Sequence, residues 1–217
     1  MERAFIFDKY NTYYDWDLIL TAKEITPPDP KTNLIELDGV NGSLDLSEAL
    51  SGEVVYRDRT LTASFWTDKG DFYYRVEVMK KITALLHGKK VKIIEPDSPA
   101  HYLYGRIKIK NFTNNRAYMS FDIEATCEPW KYSIEESSRS VTVNGQAVDI
   151  VIHNNGVKTL CPSINVTGAV SLTIDGVTTA LTEGGYMITN LKLKTGANVV
   201  GISGNGSVTL TYREADL

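Results

Sequence analysis

The side chains that most often carry acid–base, nucleophilic or metal chemistry near neutral pH are sparse in this chain, with three histidines and two cysteines among 217 residues. His87, His101, His153, Cys127 and Cys161 stand singly. They lack the close helical or turn spacing that lets donors converge on one ion or lets a base reach a nucleophile. The run Gly201-Ile202-Ser203-Gly204-Asn205-Gly206 begins like a nucleophile elbow but has Asn205 where that motif needs its closing glycine. No Lys-Ser/Thr pair follows to hold a phosphate, so the run reads as a hairpin loop between strands. Paired carboxylates are the remaining route to hydrolysis, and 27 acids leave it open. Asp15 and Asp17 would share a strand face, as a surface pair. The expectation is a non-enzymatic chain with no catalytic residue, no metal-ligand set and no cofactor.

A different chemistry is written in Tyr102-Leu103-Tyr104-Gly105-Arg106-Ile107-Lys108-Ile109-Lys110. Strand alternation puts Arg106, Lys108 and Lys110 on one face and Ile107 and Ile109 on the other. Tyr102 and Tyr104 extend the cationic face. Such a strip suits an anionic partner, an acidic neighbouring subunit or a glycan, and equally a solvated sheet face.

The elements that must position this strip are mostly strands. Leu18-Ile19-Leu20 and Leu34-Ile35-Glu36-Leu37 read as short strands, with Asp38-Gly39 and Asn41-Gly42 as turns. Thr60 to Thr67 alternates polar with apolar or small residues. One helix is predicted, over about 69–87, from Phe72, Val76, Met79, Ile82 and Leu86 recurring at spacings of three and four. Asp68 or Asp71 can cap it, and His87-Gly88 can end it. Ala117 to Cys127 is a further strand.

Residues 133–140 are polar and short-sided, and read as a linker between a domain over 1–132 and another over 141–217. In the second, Val141-Thr142-Val143 and Ala147 to Ile152 flank Asn144-Gly145 as a hairpin. Ser171 to Ile174 and Val177 to Leu181 flank Asp175-Gly176 as another, and Val208 to Tyr212 supplies a last strand. The fold class is therefore mainly β: an α+β first domain with one helix, then an antiparallel β-sandwich.

Composition fits a globular protein, with 42% hydrophobic and 23% charged residues and a net charge of −4, which lacks the basic excess of a constitutive nucleic-acid binder. Residues 1–132 hold 18 Lys and Arg and 20 Asp and Glu, against 5 and 7 in residues 133–217. No apolar run approaches the roughly 20 residues of a membrane span, and no signal-peptide core develops, so a chain made and folded in a cytosol is expected, with both cysteines as buried thiols.

Element order and several motifs together resemble the distal tail proteins of long-tailed, non-contractile phages and of prophages in Gram-positive bacteria. The motifs are Leu37-Asp38-Gly39-Val40-Asn41-Gly42-Ser43-Leu44-Asp45, Tyr56-Arg57-Asp58-Arg59, the single helix, and Cys127-Glu128-Pro129-Trp130-Lys131-Tyr132. Weaker ones follow in Asn154-Asn155-Gly156, Cys161 to Val166, Gly196-Ala197-Asn198 and Thr209 to Arg213. The resemblance implies a structural protein of the virion tail tip, made in the host cytoplasm, whose second domain is galectin-like. It implies a hexameric ring bounded by the major tail tube protein and a tail-associated hub or lysin protein, with receptor-binding proteins held in some phages and DNA only in transit. Under it Arg106, Lys108 and Lys110 become a ring-interface or lumen strip, and Pro129, Trp130, Lys131 and Tyr132 a domain junction at which Pro129 stops the strand and the two aromatics pack across the seam. A carbohydrate-binding module for host cell-wall glycans is the alternative.

Overall fold

The computed structural model describes residues 3–217. It divides into two compact units, one reaching to Lys131 and including Leu217, the other Tyr132–Asp216.

The first unit contains β1 (Ile6–Phe7), β2 (Tyr10–Asn11), β3 (Ile19–Ile25), β4 (Leu34–Glu36), β5 (Ser43–Asp45), β6 (Arg59–Thr67), α1 (Phe72–Leu86), β7 (Lys90–Ile94), β8 (His101–Asn114) and β9 (Met119–Cys127). Seven strands form an antiparallel sheet in the order β2-β1-β7-β8-β9-β6-β3, while β4 and β5 pair only with each other. Period-two sequence explains the sheet: Leu61, Ala63 and Phe65 on β6 and Phe121, Ile123 and Ala125 on β9 all turn inward and are fully buried. Val78, Met79, Ile82 and Leu86 of α1 join the same core, each buried large side chain contributing about 1.5–3 kcal/mol relative to exposure.

The helix caps on Asp71, whose carboxylate accepts from the Tyr74 amide at 2.8 Å. His87 closes it, and its Nδ1 accepts from the Ile109 amide at 3.1 Å. The buried stripe is rotated from the expected one. Phe72 is exposed and Val76 half-buried, and the inward positions are Arg75, Val78, Met79, Ile82 and Leu86. An arginine on the core side hides the true period, because its charge reads as a solvent position. Asp15 and Asp17 do not share a strand: Asp15 lies in a turn and accepts from the Asn11 amide, and Asp17 follows that turn with a φ of 52°.

β10 (Lys131–Ser133) starts on the last residue of the first unit's main stretch, and the second unit continues with β11 (Ser137–Asn144), β12 (Val148–Asn154), β13 (Ser163–Ile174), β14 (Val177–Leu181), β15 (Gly184–Met187), β16 (Gly196–Tyr212) and β17 (Ala215–Asp216). Residues 133–140, expected as a linker, instead finish β10 and begin β11. The Ser138 and Ser140 hydroxyls lie 3.5 and 2.8 Å from those of Thr211 and Thr209. Short polar residues on an outward strand face have the composition of a linker.

The expected hairpin around Asn144-Gly145 does not form either. β11 pairs with residues 205–212 of β16 and β12 with residues 196–202, so the two lie end to end along one edge of that strand. β13 takes the other edge over its whole length. The second hairpin does form, β13 with β14, and Asp175 and Gly176 both have positive φ, as a tight two-residue turn needs.

The glycine run expected as a loop is the middle of β16. Gly168, Gly204 and Gly206 let β13 and β16 approach closely: a Cβ at 206 would stand 2.0 Å from the Thr167 carbonyl oxygen, and one at 204 would stand 2.5 Å from that of Ala169. The bend curls the sheet onto its apolar face, where Ile164, Val166, Leu172, Val200, Ile202 and Leu210 are buried.

Candidate functional site

Alternation along β8 carries Arg106, Lys108 and Lys110 to the outward face of the first sheet, with Arg106 and Lys108 exposed and Lys110 half-buried. Register brings β9 alongside: Arg106 is opposite Thr126, Lys108 opposite Glu124 and Lys110 opposite Asp122. A column of bases therefore runs beside a column of acids. Beyond the acids, Thr62 and Ser64 of β6 stand opposite Glu124 and Asp122.

The bases are not all open to a partner. Lys110 is ion-paired to Glu124, and Arg106 donates to the Gly88 carbonyl at 2.6 Å. Lys90 reaches Glu128 at 2.5 Å and also lies over the Tyr104 ring, 4.6 Å from its centre. Lys92 covers Tyr102 in the same way at 4.3 Å. Both tyrosines thus carry a lysine ammonium over one ring face. The Lys110 hydrogen bond holds the Glu124 carboxyl below the usual carboxylate range, helped by the nearby charges of Lys110 and Lys108. Bonding to Glu128 raises Lys90.

Two features missed by sequence hold this face in place. Arg75 is 1% exposed, and its guanidinium donates to the Asn114 side chain and to the Gly70, Asn115 and Arg116 carbonyls at 2.7–3.2 Å. It ties the helix start to the β8–β9 turn. A bulge between Lys110 and Thr113, with Asn111 at a φ of 51°, re-aims the end of β8. The Asn111 amide donates to Asp122 at 2.6 Å, which occupies that acid.

At the junction, β9 ends at Cys127, two residues before Pro129, whose carbonyl accepts from Arg59. Trp130 meets Tyr56 edge-on at 5.5 Å within the first unit. Lys131 reaches Glu95 at 3.4 Å. Tyr132 lies under the Lys158 ammonium, 4.9 Å from the ring centre, within the second unit.

Both cysteines are free thiols, but Cys161 is exposed rather than buried. Burial pushes the Cys127 thiol up to about 12, against the opposing pull of Arg59. Among the described residues no group of three or more His, Cys, Asp or Glu could hold a metal ion, and no helix is long and apolar enough to cross a membrane.

In the second unit an open groove is lined by Asp149, Thr173, Asp175, Lys194, Thr195 and Ser203 among others, with no aromatic in its lining among the described residues.

No protein-family model matches the sequence, and no curated protein matches it. Among solved structures, the crystal structure of SPP1 Dit (gp 19.1), described as a paradigm of the hub adsorption apparatus in phages infecting Gram-positive bacteria, superposes with a TM-score of 0.74. The match covers 100% of both chains at 16% sequence identity. The chain has the fold of SPP1 Dit. The fold is mainly β in both units, with one helix, as the sequence implies.

Proposed function

We propose that this chain is a non-catalytic structural subunit of a phage tail tip, assembling as a six-membered ring that joins the tail tube to the hub or lysin protein and to the host-adsorption apparatus. The observation that carries this reading, beside the distal-tail fold, is the segment from Lys31 to Val55, which contains the β4–β5 hairpin. Leu34, Ile35, Leu37, Val40, Leu44, Leu50, Val54 and Val55 are all exposed there, Leu50 completely. So many apolar side chains left in water over one short stretch mark a surface that other chains cover. Its base is held by the Pro30–Tyr56 bridge and by amide bonds from Lys31 to Val55 and from Arg57 to Asp29, both 2.7 Å.

The test is sedimentation of the purified protein together with electron microscopy of complemented particles. The wild type is expected to form rings and to restore tails. Leu34→Ser/Ile35→Ser/Leu44→Ser is expected to do neither while melting normally, because these side chains bury little in the single chain. A wild type that stays monomeric and is absent from tails would refute the reading.

Replacing Arg106, Lys108 and Lys110 together by Ser assigns the charged face. Lost rings place it against acids of the next subunit. Intact rings with altered DNA delivery place it in a lumen, where contacts must be weak and salt-sensitive for DNA to pass. Unchanged assembly and delivery would show a merely solvated face.

A further inference from the structure

An asparagine followed by glycine lets the next main-chain nitrogen approach the side-chain carbonyl with no Cβ in the way. This chain holds such pairs at Asn41-Gly42, Asn144-Gly145, Asn155-Gly156 and Asn205-Gly206. Their chemistry is the same, so the fold decides which can react. An amide already given to an acceptor must break that bond before it can turn on the side chain, which takes local opening.

Three of the pairs are held. The Gly145 amide donates to the Gly204 carbonyl at 2.8 Å. The Gly156 amide donates to the Asn154 side-chain oxygen at 3.2 Å, and the Asn155 side-chain amide donates to Glu214 at 3.0 Å. Gly206 lies within the ladder between Val143 of β11 and Gly168 of β13, without room even for a Cβ. Asn41-Gly42, in the turn between β4 and β5, differs on each count. Both residues are exposed, and beyond its chain neighbours no atom stands within 4 Å of where a Cβ on Gly42 would sit. Among the described residues no main-chain carbonyl accepts from the Gly42 amide.

We propose that Asn41 is a spontaneous modification site of the folded chain, where the Gly42 nitrogen attacks the side-chain carbonyl carbon. The bond from that carbon to the amide nitrogen breaks, and ammonia leaves with the proton given up by Gly42. Water then opens the resulting succinimide at either carbonyl, giving aspartate or, with the main chain rerouted through the side-chain carbon, isoaspartate. Either product adds a negative charge to a segment that already sets Glu36, Asp38, Asp45, Glu48 and Glu53 against Lys31. Isoaspartate also lengthens the turn by one main-chain carbon. Both changes fall beside the exposed Val40 and Leu44, on the surface that the ring reading has other chains cover.

Peptide mapping by mass spectrometry of the full chain, held in mildly alkaline buffer with and without unfolding urea, tests the proposal. Each rate is taken relative to that of the same site in urea. In the folded chain Asn41 is expected to keep its unfolded rate to within about threefold, while Asn144, Asn155 and Asn205 slow at least tenfold. Asn41→Gln is expected to remove the fast release of ammonia, because the longer side chain closes a ring far more slowly. Asn41 slowed as much as the other three, or a fast release that survives in Asn41→Gln, overturns the proposal. The effect on assembly rests on the ring reading and is measured separately by sedimentation. Aged wild type is expected to self-associate at least tenfold more weakly than aged Asn41→Gln. Equal association of the two, with Asn41 converted, would count against the hairpin as the ring contact and not against the modification.

Discussion

The outward face of the first sheet carries bases on β8 beside acids on β9, whereas the outward face of the second carries hydroxyls and amides in three aligned columns. Ser138, Ser140, Thr142 and Asn144 of β11 stand opposite Thr211, Thr209, Ser207 and Asn205 of β16. The latter stand opposite Ser163, Asn165, Thr167 and Ala169 of β13. Charged columns fix register through a few directional contacts that acid and salt can remove. Hydroxyl columns contribute about 0.2–1 kcal/mol per cross-strand pair. Their short side chains crowd little where β13 and β16 close at the glycine bend. The two units thus spend their outward faces differently: one on contacts that conditions can change, the other on curvature.

Several experiments would break or sharpen that contrast. All three tryptophans, Trp16, Trp66 and Trp130, belong to the first unit, so their fluorescence follows it alone. Gly206→Ala has the largest expected effect, because it adds a Cβ against the Thr167 carbonyl at a φ of 155°. A loss of roughly 2–6 kcal/mol from the second unit is expected, seen by amide exchange on β13 and β16 with the tryptophan transition unmoved. Equal destabilisation of both transitions would contradict the division of labour.

Arg75→Met comes next. It strips the donor from the three carbonyls that Arg75 holds and should cost the first unit roughly 2–4 kcal/mol. The tryptophan melt should fall and exchange at the β8–β9 turn should rise, with the second unit unaffected. An unshifted melt would mean that the helix and the charged columns hold their places without it.

The smallest effect is that of acid. Hydrogen bonds from Arg3 and Lys23 hold the Asp97 carboxyl below its ordinary range, as Lys110 does for Glu124. A carboxylate depressed in the folded state stabilises it above the unfolded value, near 4, and that contribution fades as pH falls through the folded value. The tryptophan-reported transition should therefore weaken steadily below about pH 4. Exchange protection in the hydroxyl columns, taken relative to the intrinsic rate at each pH, should stay flat over the same interval, because those columns hold no titrating group. Parallel weakening of both would show that the charged columns are not the acid-sensitive element.

What could be read from the residues follows the same division. β6, β8 and β9 alternate cleanly, because one face packs on the core and the other meets water, so strand, face and the Arg106–Lys108–Lys110 strip were legible. The acids beside that strip were not, since the pairing of Lys108 with Glu124 is set by register across a bulge. Arg75 and Arg59 escaped because a charged residue reads as exposed, and only three-dimensional placement reveals four acceptors around one and a single acceptor on the other. In the second unit, local turn signals misled. Asn144-Gly145 favours a hairpin, but β16, some sixty residues on, offers a longer edge to both flanking strands. Glycines 204 and 206 read as a loop because a sheet interior seldom uses them, except where two backbones must nearly touch.

The length of β16 has a consequence for how the protein is born. Three strands of the second unit, β11, β12 and β13, bond directly to a partner that the ribosome makes after all of them. Until residues 196–212 emerge, those strands have edges with nothing to pair against. The first unit, whose seven consecutive sheet neighbours β2-β1-β7-β8-β9-β6-β3 are all complete by Cys127, can close while the rest is still being translated. The second must wait, and its closure joins contacts far apart in sequence, the slow kind. Folding in this chain is therefore ordered by synthesis, the charged face finished first and the curled sheet last.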